Sequence, residues 1–493
     1  GPGGLACKAI YKKYLSCGIK GLENLNGNFV TLLIDCDKSI IYILTDRCGM
    51  FPCYAMLADS QQAAIGSHPD IMAMSMDISD DLDFVSIAEF LMSGKVSFPF
   101  SYYNKIRALD YGSLHKVMLM NGREFHISSK KYFVFNFDIN HSLSEWELAE
   151  ELASAFRKAI NRRTHSLFGN TGISLSGGLD SRAILCSADN INNISAFCFF
   201  DKENLEYRIA KQIAQKVGVK FIPLRREFDH YGDNAEMGAR ISGAMGDFAN
   251  NHFLGFREAF KNERIDNIIA GFYCDYLFKS LLINKRRNIY LRTESFSKFK
   301  YENYSPIFWF ETVYRRLVKE RLDEQYPDGL KMDESDLGRL EIERRRLFPL
   351  HREVDNQETT IPQRVMGWYL PIVDSDIIDT YLKIPPAFKL NTSMYSKMVT
   401  LLCGKEISKI INTNTGARVN APQLSVIFHE YKKALRTRVR IQKNNIATDG
   451  SWPNWNYYVS NSKKIESLWS QKNEEACHIF RLVLGNDPYG KPI

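Results

Sequence analysis

Residues 173–185 read ISLSGGLDSRAIL. An apolar strand pattern runs into Ser-Gly-Gly-Leu-Asp-Ser, and a helical pattern starts at once. A strand whose carboxyl end meets a loop opening a helix is the unit of a parallel α/β sheet. Ligands of such sheets sit at that end. Gly177 and Gly178 let the backbone approach an anion closely and present N–H groups to it. The helix starting near Asp180 adds the positive end of its dipole, and Ser176 and Ser181 supply hydroxyl donors. Asp180 cannot serve a bare phosphate, because like charges repel. A carboxylate beside a phosphate cradle needs a divalent cation between them, and Mg²⁺ suits that place. The loop therefore reads as a nucleotide site built around a pyrophosphate and its metal. It lacks the Gly-x-x-x-x-Gly-Lys-Ser/Thr of a Walker loop.

The flanking sequence predicts two domains, 1–138 and 139–493, in a fold that is α+β first and α/β second. Up to about residue 135, short alternating apolar runs such as FVTLLIDCDKSIIYILTD and HKVMLMNGREFHI predict hairpins, with Asn-Gly at 121–122 as a turn signal. Residues 141–164 predict an amphipathic helix with Ser144 and Glu147 at capping-box spacing. Strand and helix patterns then alternate: TGISLS, DSRAILCSADN, ISAFCFFD, LEYRIAKQIAQKVG, VKFIPL and, later, NIIAGFY. That alternation predicts βαβ units on a parallel sheet. From about 280 onward the expectation is a mostly helical, basic part.

Composition narrows the class. No apolar run reaches the roughly 18 residues of a membrane span. The ten cysteines include no Cys-x-x-Cys pair, and several sit in core-like runs. That pattern fits a reducing, cytoplasmic setting and predicts no zinc site. The first ten residues do not read as a signal peptide, and the Gly-Pro start without Met leaves the natural beginning open. The net charge is +7, with basic clusters at 283–292, 314–321, 343–348 and 431–443. Solvated helix faces explain these clusters, and an anionic partner is the sharper alternative. No nucleic-acid-binding motif accompanies them, so no nucleic-acid partner is expected.

The loop resembles the PP-loop of ATP pyrophosphatases, which cleave ATP between the α and β phosphates. SLSGGLDSR narrows the likeness to the synthetase domain of the asparagine-synthetase-like family. Relatives there include glutamine-dependent asparagine synthetases, β-lactam synthetases, lasso-peptide cyclases and amidating enzymes of surface-glycan clusters. Other segments agree in order. Residues 25–56 resemble the second half of an Ntn-type glutaminase domain, with Leu-x-Gly-x-Phe and Thr-Asp-Arg-x-Gly patterns. IAGFYCDYLFKS (269–280) resembles the loop with a glycine and a second aspartate. WYLPIVDSDIIDTYLKIP (368–385) resembles a Pro-Phe-Leu-Asp helix entry, and TSMYSKMVTLL (392–402) the segment with a catalytic lysine. The resemblance implies ATP and Mg²⁺ as cofactors. It implies that Ser176, Gly177, Gly178 and Ser181 bind pyrophosphate, that Asp180 and Asp275 hold Mg²⁺, and that Leu175, Phe199 and Gly271 contact adenine or ribose. Lys397 would neutralise charge developing on the α-phosphate.

The implied reaction is an AMP- and PPi-forming ligation of a carboxylate to an amine, in specialised-metabolite, peptide or surface-glycan biosynthesis. The carboxylate would belong to a small molecule, a glycan or a peptide, and a partner protein delivering substrate stays open. Two departures stand out. Only 24 residues precede LNGNF, and Cys7 is not terminal, which predicts a degenerate glutaminase scaffold without glutamine hydrolysis. On the acceptor side Phe272 replaces the polar residue that follows the glycine in relatives, and Tyr273 is a candidate replacement base. NTNTGARVNAP (412–422) lies where an acceptor pocket could be built. Two alternatives remain: a PP-loop tRNA-modifying enzyme, and an inactive nucleotide- or partner-binding pseudo-synthetase.

Overall fold

The structure is a computed structural model. It describes residues 4–471 except 59–61, 121–123, 247, 289, 292, 298–312, 326–334, 353–356, 441–447 and 449. The Asn-Gly turn, Cys477 and parts of the basic clusters at 283–292 and 431–443 thus lie outside the described residues.

Alternating side chains build two antiparallel sheets in the N-terminal part. Strands β1 (Val30–Asp35), β2 (Ile40–Thr45), β6 (Ser113–Met120) and β7 (Glu124–Lys131) pair in the order β1-β2-β6-β7. Strands β3 (Tyr54–Ala58), β4 (Gln62–Gly66) and β5 (Ile106–Ala108) pair as β4-β3-β5. The alternation of β1 does not extend to the start of the chain. Leu5–Cys17 is a helix, and its Ile10 and Tyr14 pack against the cluster of Tyr42, Leu44 and Leu114. Two more helices that the alternating pattern concealed, Pro69–Ser75 and Phe84–Ser93, follow β4.

The linking helix is Glu145–Arg163, and its capping box forms: Ser144 Oγ accepts from the Glu147 N–H while the Glu147 carboxylate accepts from the Ser144 N–H. Leu148, Leu152, Phe156 and Ile160 recur at helical spacing and are fully buried, each burial stabilising by about 1.5–3 kcal/mol.

Beyond it, β8 (Thr171–Ser174), β9 (Ile194–Phe200), β10 (Lys220–Arg225), β11 (Asn267–Ile269) and β14 (Gly367–Tyr369) form one all-parallel sheet. Its order is β10-β9-β8-β11-β14. The chain winds outward from β8 through β9 and β10, then returns to lay β11 on the other side. The sequence direction therefore reverses between β8 and β11, and such a switch point opens a crevice at the carboxyl ends of the strands. β9 is apolar but for Ser195 and almost wholly buried, as a strand covered on both faces must be. The described remainder is mainly helical and includes a hairpin of β12 (Lys285–Arg287) and β13 (Glu294–Phe296).

Two sequence patterns that looked like site signatures hold the two parts together. Asp374, the N-cap of the helix Ser375–Tyr381, is fully buried. It accepts from Arg163 Nη1 at 2.6 Å, Arg162 Nη1 at 2.8 Å and Asn26 Nδ2 of LNGNF at 3.1 Å. Gly49 of the Thr-Asp-Arg-x-Gly turn has φ +61°, and a Cβ there would lie 2.5 Å from that of Pro349. Asp46 of the same turn is buried and accepts from the N–H groups of Cys48, Met50 and Phe51. Burial pushes its carboxyl up to about 6 against those bonds.

Candidate nucleotide site

The loop after β8 and the loop after β11 meet at the switch point around a cavity of about 520 Å³. Leu175, Ser176, Asp180, Ser181, Phe199 and Gly271 line it, as do Tyr273 and Asp275. Gly177 and Gly178 form the turn beneath them. A Cβ on Gly271 would lie 2.7 Å from Asp180 Cβ, so glycine there lets the helix Leu179–Cys186 close on the second loop. A Cβ on Gly177 would lie 2.1 Å from Thr413 Cγ2, and Thr413 N–H donates to the Gly177 carbonyl at 3.0 Å. The Asn- and Gly-rich segment expected at an acceptor pocket is thus built into the phosphate loop itself. Arg182, fully buried, fixes the same junction by donating to the carbonyls of Ile410 and Ile411, both at 2.9 Å.

The donors of the loop already have acceptors. Ser176 N–H donates to Ser181 Oγ at 2.9 Å, Gly178 N–H donates to Ser176 Oγ at 3.1 Å, and the Gly177 backbone donates to the Glu206 carboxylate. Burial raises the pKa of Glu206. Its carboxylate also accepts from Ser451 N–H at 2.6 Å, so it sits where a phosphate oxygen would find the same N–H.

The acidic edge carries a cation that sequence reasoning missed. Lys279 Nζ donates to Asp180 Oδ2 at 2.7 Å and lies 5.0 Å from the Tyr395 ring centre. Burial pulls its pKa down, but the Asp180 and Asp275 carboxylates more than offset this and hold it above the usual lysine value. Asp180 Oδ1 is buried with no hydrogen-bond partner among the described residues. That orphan oxygen fits a cation held by Asp180. Among the described residues no three His, Cys, Asp or Glu side chains converge into a metal cage. Mg²⁺ needs none, since it binds through one or two carboxylates and substrate phosphates.

Lys397 is not brought to this edge. It lies on the helix Ser393–Ser408, whose Met394, Tyr395, Met398 and Val399 face the core. Position 397 falls on another face. There it pairs with Glu145 Oε2 at 2.5 Å and lines a second cavity of about 550 Å³, which Leu179 also lines. The residue of this helix that does face Asp180 is Tyr395: its hydroxyl is raised well above the usual range by burial first and by the Asp180 charge next. Tyr273 lines the first cavity at 2% exposure, in the left-handed region at φ +66°. For a bulky side chain that conformation costs on the order of 1–3 kcal/mol. Phe272 packs on Trp368, ring centres 6.1 Å apart.

The opposite wall is aromatic and polar. Phe199 packs edge-on against Phe253, ring centres 5.0 Å apart. Arg226, fully buried, binds Asp201 at 2.9 Å and donates to the Ser451 carbonyl and Tyr231 hydroxyl. His252 beside it is kept neutral, its pKa driven well down by burial and then by Arg226. Asn204 Nδ2 donates to the Gly450 carbonyl at 2.7 Å. Residues 450–452 are thereby tied over this end of the cavity, a long-range contact with no sequence signal.

Two family models match the chain in the expected order. Residues 6–133 match the glutamine amidotransferase domain and residues 151–332 match asparagine synthase. The chain is asparagine-synthetase-like. This family uses ATP to form amides from carboxylates and amines. No curated protein matches the chain. Among solved structures, the NH3-dependent NAD synthetase from Campylobacter jejuni in complex with the nitrate ion is 14% identical, covering 41% of this chain and 93% of that one. Its TM-score is 0.21, and at that score the likeness carries no argument. Among the described residues of this asparagine-synthetase-like chain, no helix is long and apolar enough to cross a membrane.

Proposed function

We propose that the chain is an AMP- and PPi-forming ligase that adenylates a carboxylate and passes the acyl group to an amine, without hydrolysing glutamine. One observation carries the reading: Asp180, at the end of a phosphate-type loop and with one orphan oxygen, and Asp275, from the loop after β11, line the same switch-point cavity. A substrate carboxylate oxygen attacks the α-phosphorus, the bond to the bridging oxygen breaks, and pyrophosphate leaves. The amine nitrogen then attacks the acyl carbon, the bond to the AMP oxygen breaks, and the nitrogen sheds a proton. Ser176, Ser181 and the backbone N–H groups of Gly177 and Gly178 orient the pyrophosphate. Leu175, Phe199 and Gly271 border the adenosine. Asp180 and Asp275 would hold Mg²⁺, which supplies charge neutralisation at the phosphates. Tyr273 is the proposed acceptor of the amine proton. Domain limits of 1–138 and 139–493 go with this assignment, as does a cytoplasmic setting.

The absence of glutaminase activity is supported by Cys7, which is exposed on a helix rather than placed at the start of a strand. The test is a product analysis with ATP, ammonium and a panel of carboxylic acids. AMP and pyrophosphate are expected with the right acid, and Asp180→Asn should abolish their formation. ADP as product would refute the reading. Glutamate released from glutamine, and lost in Cys7→Ala, would refute the scaffold assignment.

A further inference from the structure

Two like charges at one cavity edge repel, and burial makes that repulsion expensive. Asp180 and Asp275 both act on Lys279, and its ammonium is the cation that the structure places against Asp180. The side chain is only 12% exposed and lies against the Tyr395 ring. It does not line the cavity. It donates to Asp180 Oδ2, while Oδ1 is buried without a partner at hydrogen-bond distance and the Tyr395 hydroxyl acts on the same carboxylate. With one positive and two negative charges, the edge carries a net charge of −1.

We propose that Lys279 is a positioning residue and built-in counter-cation. It occupies one oxygen of the Asp180 carboxylate, and it keeps a divalent ion on that carboxylate weakly held until nucleotide phosphates add their charge. The physical basis is Coulombic. A fixed ammonium at ion-pair distance opposes a second cation on the same carboxylate, and this opposition is strong where water is largely excluded. A metal that binds tightly by itself would stay behind when pyrophosphate leaves. One that needs the phosphate oxygens leaves with the product. The inference rests on the nucleotide-site reading above, yet its test needs neither ATP nor turnover.

The experiment titrates the full chain with Mn²⁺ alone and follows the free-ion electron paramagnetic resonance signal. Lys279→Met and Lys279→Gln remove the charge, and Gln retains a donor for Asp180 in case Met does not fold. Both should bind Mn²⁺ at least about tenfold more tightly than the wild type. Lys279→Arg should restore the wild-type affinity, and adding Asp180→Asn to Lys279→Gln should remove the gain. Misfolding would weaken binding, so a gain separates positioning from simple structural support. Unchanged or weaker binding in both neutral variants would overturn the proposal, as would a gain that survives Asp180→Asn. A failure to find any adenylated acid would count against the ligase reading and leave this result standing.

Discussion

At Gly271 the site depends on the absence of a single methyl group. The Cβ of an alanine would lie 2.7 Å from Asp180 Cβ and 3.3 Å from its carbonyl carbon. Neither atom is the end of a flexible side chain, so the helix Leu179–Cys186 would have to shift. Overpacking of this kind costs about 1–3 kcal/mol. Here the shift would also move the carboxylate that the site presents. Gly271→Ala is expected to lower the thermal midpoint modestly and to weaken ATP binding at least about tenfold, read by calorimetric titration. Full ATP affinity in this variant would show that Asp180 does not set the nucleotide position.

Among the elements, the helix Ser393–Ser408 shows how 3.6-residue periodicity decides which polar side chain reaches a site. Tyr395 points toward Asp180, and Lys397, two residues on, points to another cavity. Below that helix the packing hides a second lysine. Lys389 Nζ lies 2.5 Å from Glu343 Oε1, both side chains are fully buried, and the Tyr381 hydroxyl donates to the same oxygen at 2.8 Å. This pair joins the helix Asp336–Leu347 to the short helix Pro386–Lys389. Removing one partner of a buried pair strands the other, at a cost of about 3–5 kcal/mol. Lys389→Met should therefore destabilise by that amount in denaturant unfolding. The double variant Lys389→Met, Glu343→Leu should recover most of the loss, and a double variant as unstable as the single would disprove the stranded-charge account.

Across the whole molecule the seam between the two parts is sensitive to acid. The His351 ring donates from Nδ1 to the Gly49 carbonyl, 2.8 Å away, while its backbone N–H donates to that carbonyl at 2.9 Å. Burial, then Arg352, lowers its pKa from 6.5 to about 3. With the folded value depressed, the unfolded chain takes up a proton between about pH 6.5 and 3 that the folded chain refuses. Stability from this group is complete above the unfolded value and falls as the pH drops, by about 2 kcal/mol at pH 5. Asp46 acts oppositely, because its folded pKa is raised to about 6; its contribution is present below the unfolded carboxylate value and is lost as the pH rises through 6. The contribution of His351 is isolated by comparison with His351→Gln. That variant should lose less stability than the wild type between pH 7 and pH 5, and parallel curves would exclude His351 as the titrating group.

The sequence by itself determined the strand-to-helix phosphate loop, the capped helix before it and the βαβ alternation, while the second loop at 271–275 entered through the family resemblance. These are local patterns, set by spacing, propensity and turn chemistry over a dozen residues. It also carried the order of the two domains. Only the tertiary structure decided which lysine stands beside Asp180. Lys397 lies in the segment that the resemblance singled out for a lysine and Lys279 in the one it singled out for an aspartate, and nothing local tells which stands against the Asp180 carboxylate. It decided as well that Asn26 and Asp374 lock the two parts together, and that Glu206, Arg226 and residues 450–452 enclose the far wall. Each of these contacts joins residues far apart in the chain. Their geometry follows from how the sheet winds and from which helix face finds a core, and no short stretch of sequence contains that information.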